Sequence, residues 1–332
     1  MSSLNNLLRR LFLSTLTIAL FFGFVAVQSN VQAAEFPIKD KPIEIIIHSG
    51  YGGGTDVTAR MVSIDARKQL KADIIIAGKR GGSGSKAHDY IMSKAADGHT
   101  VLALTQTHLY TIARGKSKMK ITDIVGIARA MDDPTFLVVS GKSPYKTFKD
   151  LVEASKKKPI NLGIANIGGT EHIGAAELAK YSGLQFKPVA FEGGGKMVQA
   201  LMSGSIDATV PNVSESLNQI KDGTFKALLV MSEKKLKDFP NVPTSFELGY
   251  KVNCSTTRGY AVLATTPKPI IEALSKSFVK SMNSDLFVTY LKSSGLTPED
   301  SIAGSEVWDK QLKAEYVSAS KTLGELGLLK KK

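Results

Sequence analysis

Short apolar runs alternate with segments of helical spacing along most of the chain. The apolar runs are rich in Ile, Val and Leu, with few polar interruptions, which is typical of buried parallel strands. They read IEIIIHS, DIIIAG, TVLALTQ, TFLVVSG, NLGIAN, FKPVAF, ATVPN, KALLVMS and GYAVLAT. The segments between them, such as TFKDLVEASKK and EHIGAAELAKYSG, have helical spacing of apolar residues and Gly or Lys near their ends. This alternation predicts an α/β fold.

The alternation is interrupted at two places. Around ARAMDDPTF it breaks at Asp132, Asp133 and Pro134, and around GYKVNCSTTRGY a polar extended stretch separates two apolar strands. If both segments are hinge strands, residues 134–251 form a second lobe inserted into a first lobe of residues 34–133 and 252–332. The sequence therefore predicts a two-lobed binding protein with a ligand cleft between its lobes.

The first 33 residues differ from the rest. Arg9 and Arg10 precede the apolar run LFLSTLTIALFFGFVAV, and Val31 and Ala33 are small residues suited to cleavage before Ala34. This pattern predicts a secretory signal peptide at residues 1–33, and hence an exported protein. Because the apolar run is about as long as a short membrane span, an uncleaved anchor is the alternative.

The net charge of +13 suggests at first an anionic polymer or membrane surface as partner. The lysines, however, are spread over KKKP, EKKLKD and LLKKK, and no aromatic residues interleave with them to stack on bases. We therefore expect a solvated basic exterior that enriches anionic ligands nearby, and no nucleic-acid partner. The one cysteine, Cys254, allows no internal disulfide and is expected to be a buried, inert thiol.

Two turns share the pattern Gly-Gly-Thr-acidic between a predicted strand and a predicted helix. They are Gly53, Gly54, Thr55 and Asp56, and Gly168, Gly169, Thr170 and Glu171. A helix N-terminus has unpaired N–H groups and a partial positive charge, which favour a carboxylate or phosphate. The threonines are candidates either to donate to a ligand or to cap their helices. The two acidic residues are expected to complement the helix dipoles, since they would repel an anion.

Motifs for more specific chemistry are missing from the sequence. SGYGGGTD and GKRGGSGSKAH contain neither a P-loop nor a G-x-G-x-x-G spacing, and GGSGS does not match the G-x-S-x-G elbow of hydrolases. His48, His108 and His172 fall at predicted strand-end turns or an early helical turn, where they are candidates to donate to an anion or to bind zinc. No H-E-x-x-H motif, close Cys/His pair or nucleophile–base–acid signature is present. We therefore predict no metal ion, no other cofactor and no catalytic activity.

Five segments, in this order and spacing, resemble one known family. They are KPIEIIIHSGYGGGTDVTARM, AADGHTVLALTQTH, NLGIANIGGTEHIGAAELA, AFEGGGKMVQALMSGSIDATVPN and FPNVPTSFELGY. The chain resembles the periplasmic substrate-binding proteins of tripartite tricarboxylate transporters, also called Bug receptors. The resemblance implies a two-lobed, type II-like periplasmic binding protein with hinge strands. It also implies a monomeric receptor, not an enzyme, that captures a small di- or tricarboxylate or related organic acid and delivers it to the transporter's membrane subunits.

The resemblance also implies which residues contact the ligand. In the first lobe they are Gly53, Gly54, Thr55, Asp56, Thr105 and Thr107. In the second lobe they are Asn166, Gly169, Thr170, His172, Gly193, Gly194 and Asn212. For Asn212, a turn-forming role is the alternative.

Several positions depart from the family pattern and leave the identity of the ligand open. The first loop begins with His48, Ser49, Gly50 and Tyr51 in place of Pro-Phe-x-Pro, so His48 and Tyr51 are further candidates for ligand contact. Glu192 replaces a usual lysine, and Arg258 stands where an aromatic residue is common. We hypothesise that Arg258 contacts the ligand or closes the lobes, against a surface or salt-bridge role.

Two other functions share much of this evidence. A secreted α/β enzyme that acts on an anionic metabolite would need a similar cleft, and would turn its ligand over. A receptor for an ABC transporter or a sensor kinase would use the same binding chemistry with a different partner.

Overall fold

The computed structural model describes residues 36–191 and 193–329, so the predicted signal peptide and Glu192 lie outside the described residues. The helices and strands all belong to one compact unit, Lys39–Lys332. The first half of the chain contains β1 (Ile43–Ile47), α1 (Gly54–Leu70), β2 (Ile74–Gly78), α2 (Ser85–Met92), β3 (Thr100–Leu104), α3 (Gln106–Ala113) and β4 (Ile124–Pro134).

The middle of the chain contains β5 (Phe136–Ser140), α4 (Phe148–Lys157), β6 (Ile160–Ile164), α5 (Thr170–Ser182), β7 (Phe186–Ala190), α6 (Gly194–Met202), β8 (Ala208–Thr209), α7 (Val213–Lys221) and β9 (Phe225–Val230). The last part contains β10 (Ser255–Leu263), α8 (Lys268–Met282), α9 (Asp285–Ser293), α10 (Pro298–Ser301), β11 (Ala303–Gly304) and α11 (Ser305–Glu325). Short 3-10 turns occur at Gly82–Gly84 and Ile121–Asp123. In the part of the chain that the structure describes, no helix is long and apolar enough to cross a membrane.

The strands form two mixed sheets. The first has the order β11-β4-β10-β3-β1-β2, in which β1 is parallel to β2 and β3, whereas β10 is antiparallel to β3 and β4. The second has the order β7-β6-β8-β5-β9, in which β6 is parallel to β7 and β8, whereas β5 is antiparallel to β8 and β9. These sheets, with helices between the strands, confirm the predicted α/β class.

The chain passes between the two sheets at two points that lie side by side. β4 ends at Pro134 in the first sheet, and β5 begins at Phe136 in the second. The chain returns to the first sheet in β10, whose Ser255 pairs with Pro134. The lobe boundaries themselves, at residues 134 and 252, stay a prediction.

Alternate residues of the central strands of the second sheet pack on opposite faces. In β5, Leu137 and Val139 belong to one buried apolar cluster, and Phe136 and Val138 belong to another. Side chains alternate across a strand, so a strand that is covered by helices on both faces reads as a continuous apolar run. The run TFLVVSG therefore reflects burial on both faces of the sheet.

The C-terminal helix α11 attaches to the first sheet through Trp308. This indole is fully buried, and its Nε1 donates a hydrogen bond to the backbone oxygen of Tyr260 at 3.1 Å. Gly126 and Gly259 lie beneath it, and a Cβ atom at either position would come within 2.7 Å or 2.4 Å of the ring, respectively. The two glycines therefore leave the space that the indole fills.

Candidate functional site

The N-termini of five helices meet around one cavity. Its volume is about 30 Å³. It is lined by His48, Ser49, Gly53, Gly54, Thr55, Thr105, Thr107, Ala165, Asn166, Glu171, Gly193, Gly194, Asn212, Glu215, Thr256 and Arg258. The lining includes N-cap or first-turn residues of α1, α3, α5, α6 and α7. Since each helix N-terminus has a partial positive charge, their convergence favours negative charge in the cavity.

The loops on the two sides of the cavity approach each other closely. A Cβ atom placed on Gly53 would lie 4.0 Å from Gly193 Cα, and one placed on Gly193 would lie 3.7 Å from the backbone nitrogen of Gly50. Gly193 has a φ of 152°, in the range that favours glycine. Glycine at these positions therefore allows backbone to approach backbone across the cavity.

Arg258, on β10, is buried in the cavity wall and paired. Its Nη1 donates to Asp133 Oδ2, and its Nη2 donates to Asn212 Oδ1 at 3.0 Å and lies 3.7 Å from Glu215 Oε1. Burial opposes the charge of the guanidinium, but the carboxylates of Asp133 and Glu215 outweigh burial and raise its pKa. Arg258 thus forms a buried salt bridge, not a surface one, and its contact with a ligand stays a prediction.

Glu215 places a carboxylate at the N-terminus of α1. Its Oε1 accepts a hydrogen bond from the Gly54 N–H at 3.2 Å, and its Oε2 accepts one from the Asn212 N–H at 3.3 Å. Burial raises the pKa of Glu215, although Arg258 and these two N–H groups favour the charged form. At Gly54, where the resemblance implies a ligand carboxylate, the protein's own carboxylate accepts the hydrogen bond.

Glu171, in the first turn of α5, also lines the cavity. Its side-chain oxygen Oε2 is buried without a hydrogen-bond partner. Burial, aided by the charge of Glu215, raises the pKa of Glu171 from 4.5 to about 7, while its own backbone N–H and Arg258 act in the opposite direction. The sequence predicted only a dipole-complementing role for this residue, which does not account for a carboxyl group in the cavity wall.

Three buried histidines pack against one another in T-shaped and tilted arrangements. The ring centroids of His48 and His108 are 4.2 Å apart, and those of His88 and His108 are 4.9 Å apart. Burial lowers the pKa of His48 to about 3 and that of His88 to about 4, and it also lowers the pKa of His108. His172 is separate from them, and its Nδ1 accepts a hydrogen bond from the Gly168 N–H at 2.8 Å. Among the described residues, no group of three or more His, Cys, Asp or Glu is arranged to hold a metal ion.

Most of the predicted contact residues line the cavity, and five do not. Those that line it are Gly53, Gly54, Thr55, Thr105, Thr107, Asn166, Gly193, Gly194, Asn212, His48 and Arg258. Those that do not are Tyr51, Asp56, Gly169, Thr170 and His172. Their roles as ligand contacts stay predictions.

The structure gives some of the five residues other partners. Asp56 accepts a hydrogen bond from the Gly52 N–H at 2.9 Å and forms an ion pair with Arg60. Tyr51 is exposed, and its hydroxyl accepts a hydrogen bond from the Gly78 N–H at 3.0 Å. Thr170 Oγ1 lies 3.2 Å from Thr107 Oγ1. These contacts hold the loops around the cavity in place.

The alternative that the two threonines cap their helices is wrong. The N-cap positions of α1 and α5 are Gly53 and Gly169, which have no side chain that could cap the helix. Thr55 and Thr170 already lie inside the first turn. Asn212, by contrast, is the N-cap of α7 and forms a capping box with Glu215.

Sequence reasoning did not select five residues of the lining as ligand contacts. They are Ser49, Ala165, Glu171, Glu215 and Thr256. For Glu215 a local signal exists, because Asn212 followed three residues later by a glutamate matches a capping box. For Glu171 the sequence indicates only the repeated turn and a role that complements the helix dipole.

A second cavity, of about 230 Å³, lies beside Cys254. The thiol is buried and donates a hydrogen bond to the backbone oxygen of Thr170 at 3.6 Å. Burial raises its pKa to about 12. This confirms the prediction that Cys254 is a buried thiol.

Alanine in place of Gly54 is expected to destabilise the protein by about 2 kcal/mol, as overpacking of a filled site does. The new Cβ would lie 2.2 Å from Arg258 Nη2, and the ion pairs of Arg258 prevent it from moving away freely. The measurement is urea unfolding. Gly195→Ala is the matched control, since its Cβ would lie no closer than 3.7 Å to its nearest neighbour. Equal stability of the two variants would contradict the expectation.

Comparison with known proteins identifies the family. Residues 58–324 match the family model of the tripartite tricarboxylate transporter family receptor, TctC. The chain belongs to this family. Among curated TctC relatives, BugT of Bordetella pertussis is 27% identical over 292 residues, which cover 85% of this chain and 88% of BugT.

Two solved structures have the same fold. MatC from Rhodopseudomonas palustris with bound malate has a TM-score of 0.80 at 22% identity, over 86% of this chain and 100% of MatC. The periplasmic binding protein BugD has a TM-score of 0.81 at 23% identity, over 89% of this chain and 100% of BugD. The two-lobed periplasmic binding protein fold predicted from the sequence is thereby confirmed.

Proposed function

We propose that this TctC receptor captures a small organic carboxylate in the cavity and delivers it to the membrane subunits of a tripartite tricarboxylate transporter. The observation that carries the proposal is the convergence of five helix N-termini on the cavity. Unpaired N–H groups and positive helix ends form a natural site for an anion. The malate in MatC, a protein of similar fold, supports a carboxylate as the anion.

The ligand contacts in this proposal are the predicted residues on both sides of the cavity. The start of α1 supplies Gly53 and Thr55, and the loop after β6 and the first turn of α6 supply Asn166 and Gly194, respectively. A volume of about 30 Å³ holds only a few water molecules. Ligand entry therefore requires the two lobes, residues 34–133 with 252–332 and residues 134–251, to move apart about their connecting strands.

The proposal includes a periplasmic location and a monomeric, non-catalytic receptor. A signal peptide cleaved near Ala33 would export the chain. Binding without turnover follows from the lack of a nucleophile–base–acid signature in the sequence. An enzyme that acts on an anionic metabolite is the alternative, and turnover of the bound carboxylate would support it.

Thermal unfolding with a panel of mono-, di- and tricarboxylates tests the proposal. A carboxylate present at about 100 times its dissociation constant is expected to stabilise the protein by about 2.7 kcal/mol. Thr55→Val is expected to reduce this response, since Thr55 lines the cavity. Thr58→Val is the matched control, because Thr58 is a buried threonine of the same helix that does not line the cavity.

Two results would count against the proposal. One is that no carboxylate changes the unfolding midpoint while a neutral or purely cationic solute raises it. The other is an equal loss of the carboxylate response in Thr55→Val and Thr58→Val, which would place the bound anion elsewhere.

A further inference from the structure

The carboxylate of Glu215 lies where three helices begin. Its Oε1 accepts a hydrogen bond from the N–H of Gly54, the first residue of α1, and its Oε2 accepts one from the N–H of Asn212, the N-cap of α7. A Cβ atom built on Gly194, the first residue of α6, would come within 2.2 Å of both carboxylate oxygens, so only glycine leaves room for them. The negative charge that helix N-termini attract is therefore supplied here by the protein itself.

The same carboxylate connects elements of the two sheets. Gly54 begins the helix that follows β1 of the first sheet, whereas Glu215 lies on α7, between β8 and β9 of the second sheet. Arg258, on β10 of the first sheet, places its Nη2 3.7 Å from Glu215 Oε1. Hydrogen bonds and ion pairs that involve a charged group are stronger than neutral ones. Glu215 thus holds the second sheet to the first in the way that a bound anion would.

Other polar atoms of the cavity lining lack a partner. Within the described residues they are His48 Nδ1, Ser49 Oγ, Glu171 Oε2 and Arg258 Nε. Each of these four residues is more than nine-tenths buried, and a buried polar group without a hydrogen bond is costly. Arg258 Nε lies beside Gly54, since a Cβ atom built there would be 2.9 Å from it. Ser49 Oγ and Arg258 Nε can each donate to an incoming carboxylate, which would accept hydrogen bonds that Glu215 does not.

We propose that Glu215 is an internal competitor of the ligand, whose carboxylate must displace that of Glu215 from the start of α1 and α6. This inference rests on the proposed function and adds a residue that sets the affinity. Two carboxylates repel each other at this distance and cannot both accept a hydrogen bond from the single Gly54 N–H. Part of the ligand's binding free energy therefore offsets the loss of the Glu215 contacts. Glu215 lowers the affinity for every carboxylate that uses this position.

Glu215→Ala tests the competition by isothermal titration calorimetry. The truncation removes the internal carboxylate and opens its place at the three helix N-termini. We expect the carboxylate that wild type binds best in the thermal unfolding panel to bind Glu215→Ala roughly tenfold to a hundredfold more tightly. Glu215→Gln removes the charge and keeps the size of the side chain. It is expected to gain less affinity, because the amide still fills the place.

Asp150→Ala is the matched control. Like Glu215, Asp150 is the acidic third residue of a helix and closes a capping box, in this case with Thr147 at the start of α4. It is exposed and does not line the cavity. Asp150→Ala is therefore expected to lose a helix cap, as Glu215→Ala does, and to keep the wild-type dissociation constant.

Formate and acetate provide a second measurement that needs no knowledge of the natural ligand. Each supplies one carboxylate of the kind that Glu215→Ala has lost. We expect sodium formate or sodium acetate to raise the unfolding midpoint of Glu215→Ala several times more than that of wild type or of Asp150→Ala. Sodium chloride at the same ionic strength is the reference, since it screens charge without supplying a carboxylate.

The possible failures are distinguishable. If Glu215→Ala and Glu215→Gln both bind the carboxylate no more tightly than wild type, Glu215 does not compete with the ligand, and the inference is overturned while the receptor function stands. If wild type binds no carboxylate but Glu215→Ala does, the competition is supported and the proposed function fails for the native chain. If neither protein binds any carboxylate, and formate and acetate do not stabilise Glu215→Ala more than wild type, both proposals fail.

Discussion

Methionine in place of Arg258 is expected to lower the free energy of unfolding by about 3–5 kcal/mol. Asp133 is fully buried and Glu215 is nearly so, and Arg258 is the cation that both of them face. Without it, two buried carboxyl groups must either stay charged in a poorly solvated site or take up protons. Urea unfolding at pH 7, followed by circular dichroism, measures the loss.

Two further variants show whether the buried ion pair is responsible. Lys156→Met removes a lysine from an ion pair with Glu153 on the surface of α4, where the two side chains are 53% and 57% exposed. Exposed pairs contribute about 0–1 kcal/mol, so this control is expected to change little. Adding Asp133→Asn to Arg258→Met removes one of the unpaired charges and is expected to recover part of the loss. If Arg258→Met unfolds within 1 kcal/mol of wild type, the charges around Arg258 are solvated more than the structure shows.

Glu171→Gln is expected to stabilise the ligand-free protein by about 3 kcal/mol near pH 8 and to have little effect near pH 4. The reason is that burial raises the pKa of Glu171 from 4.5 to about 7. The folded state therefore holds the Glu171 proton more tightly than the unfolded state does. The cost of ionising it is absent below pH 4.5, grows as pH rises and is complete above about pH 7.

The difference between Glu171→Gln and wild type, measured by urea unfolding at several pH values, isolates this titration from all others. A difference that stays constant from pH 4 to pH 8 would show that the carboxyl group of Glu171 has an ordinary pKa.

The α/β fold could be predicted from the sequence because the patterns that indicate strands and helices are local. Strands such as β5, buried on both faces, leave continuous apolar runs, and helices leave their spacing and their caps. The first-loop glycines were readable too, because the rule that a helix N-terminus attracts an anion needs only a strand, a glycine-rich turn and a helix. Gly53, Gly54 and Thr55 all line the cavity.

The positions of the acidic side chains around the cavity could not be predicted from the sequence, because they depend on contacts between segments that are distant along the chain. The hydrogen bond from the Gly54 N–H to Glu215 joins residues that are 161 positions apart in the sequence. The ion pair between Arg258 and Asp133 joins residues that are 125 positions apart. Both depend on how the two sheets face each other. From the sequence alone, Glu171 was one of two equivalent acidic residues after a Gly-Gly-Thr turn, yet Asp56 turns back to its own loop and Glu171 lines the cavity.

The Cys254 thiol can report on the opening of the segment that connects the second sheet to the first. The backbone of Cys254 bonds to Thr135 and Met231, which places the thiol just before β10, where the chain returns to the first sheet. A buried thiol with a pKa of about 12 does not react with an alkylating reagent until the segment opens. Because it is the only cysteine in the chain, the rate of alkylation reports on the opening of this crossing alone. Comparing that rate with and without ligand would show whether a ligand suppresses opening at this crossing.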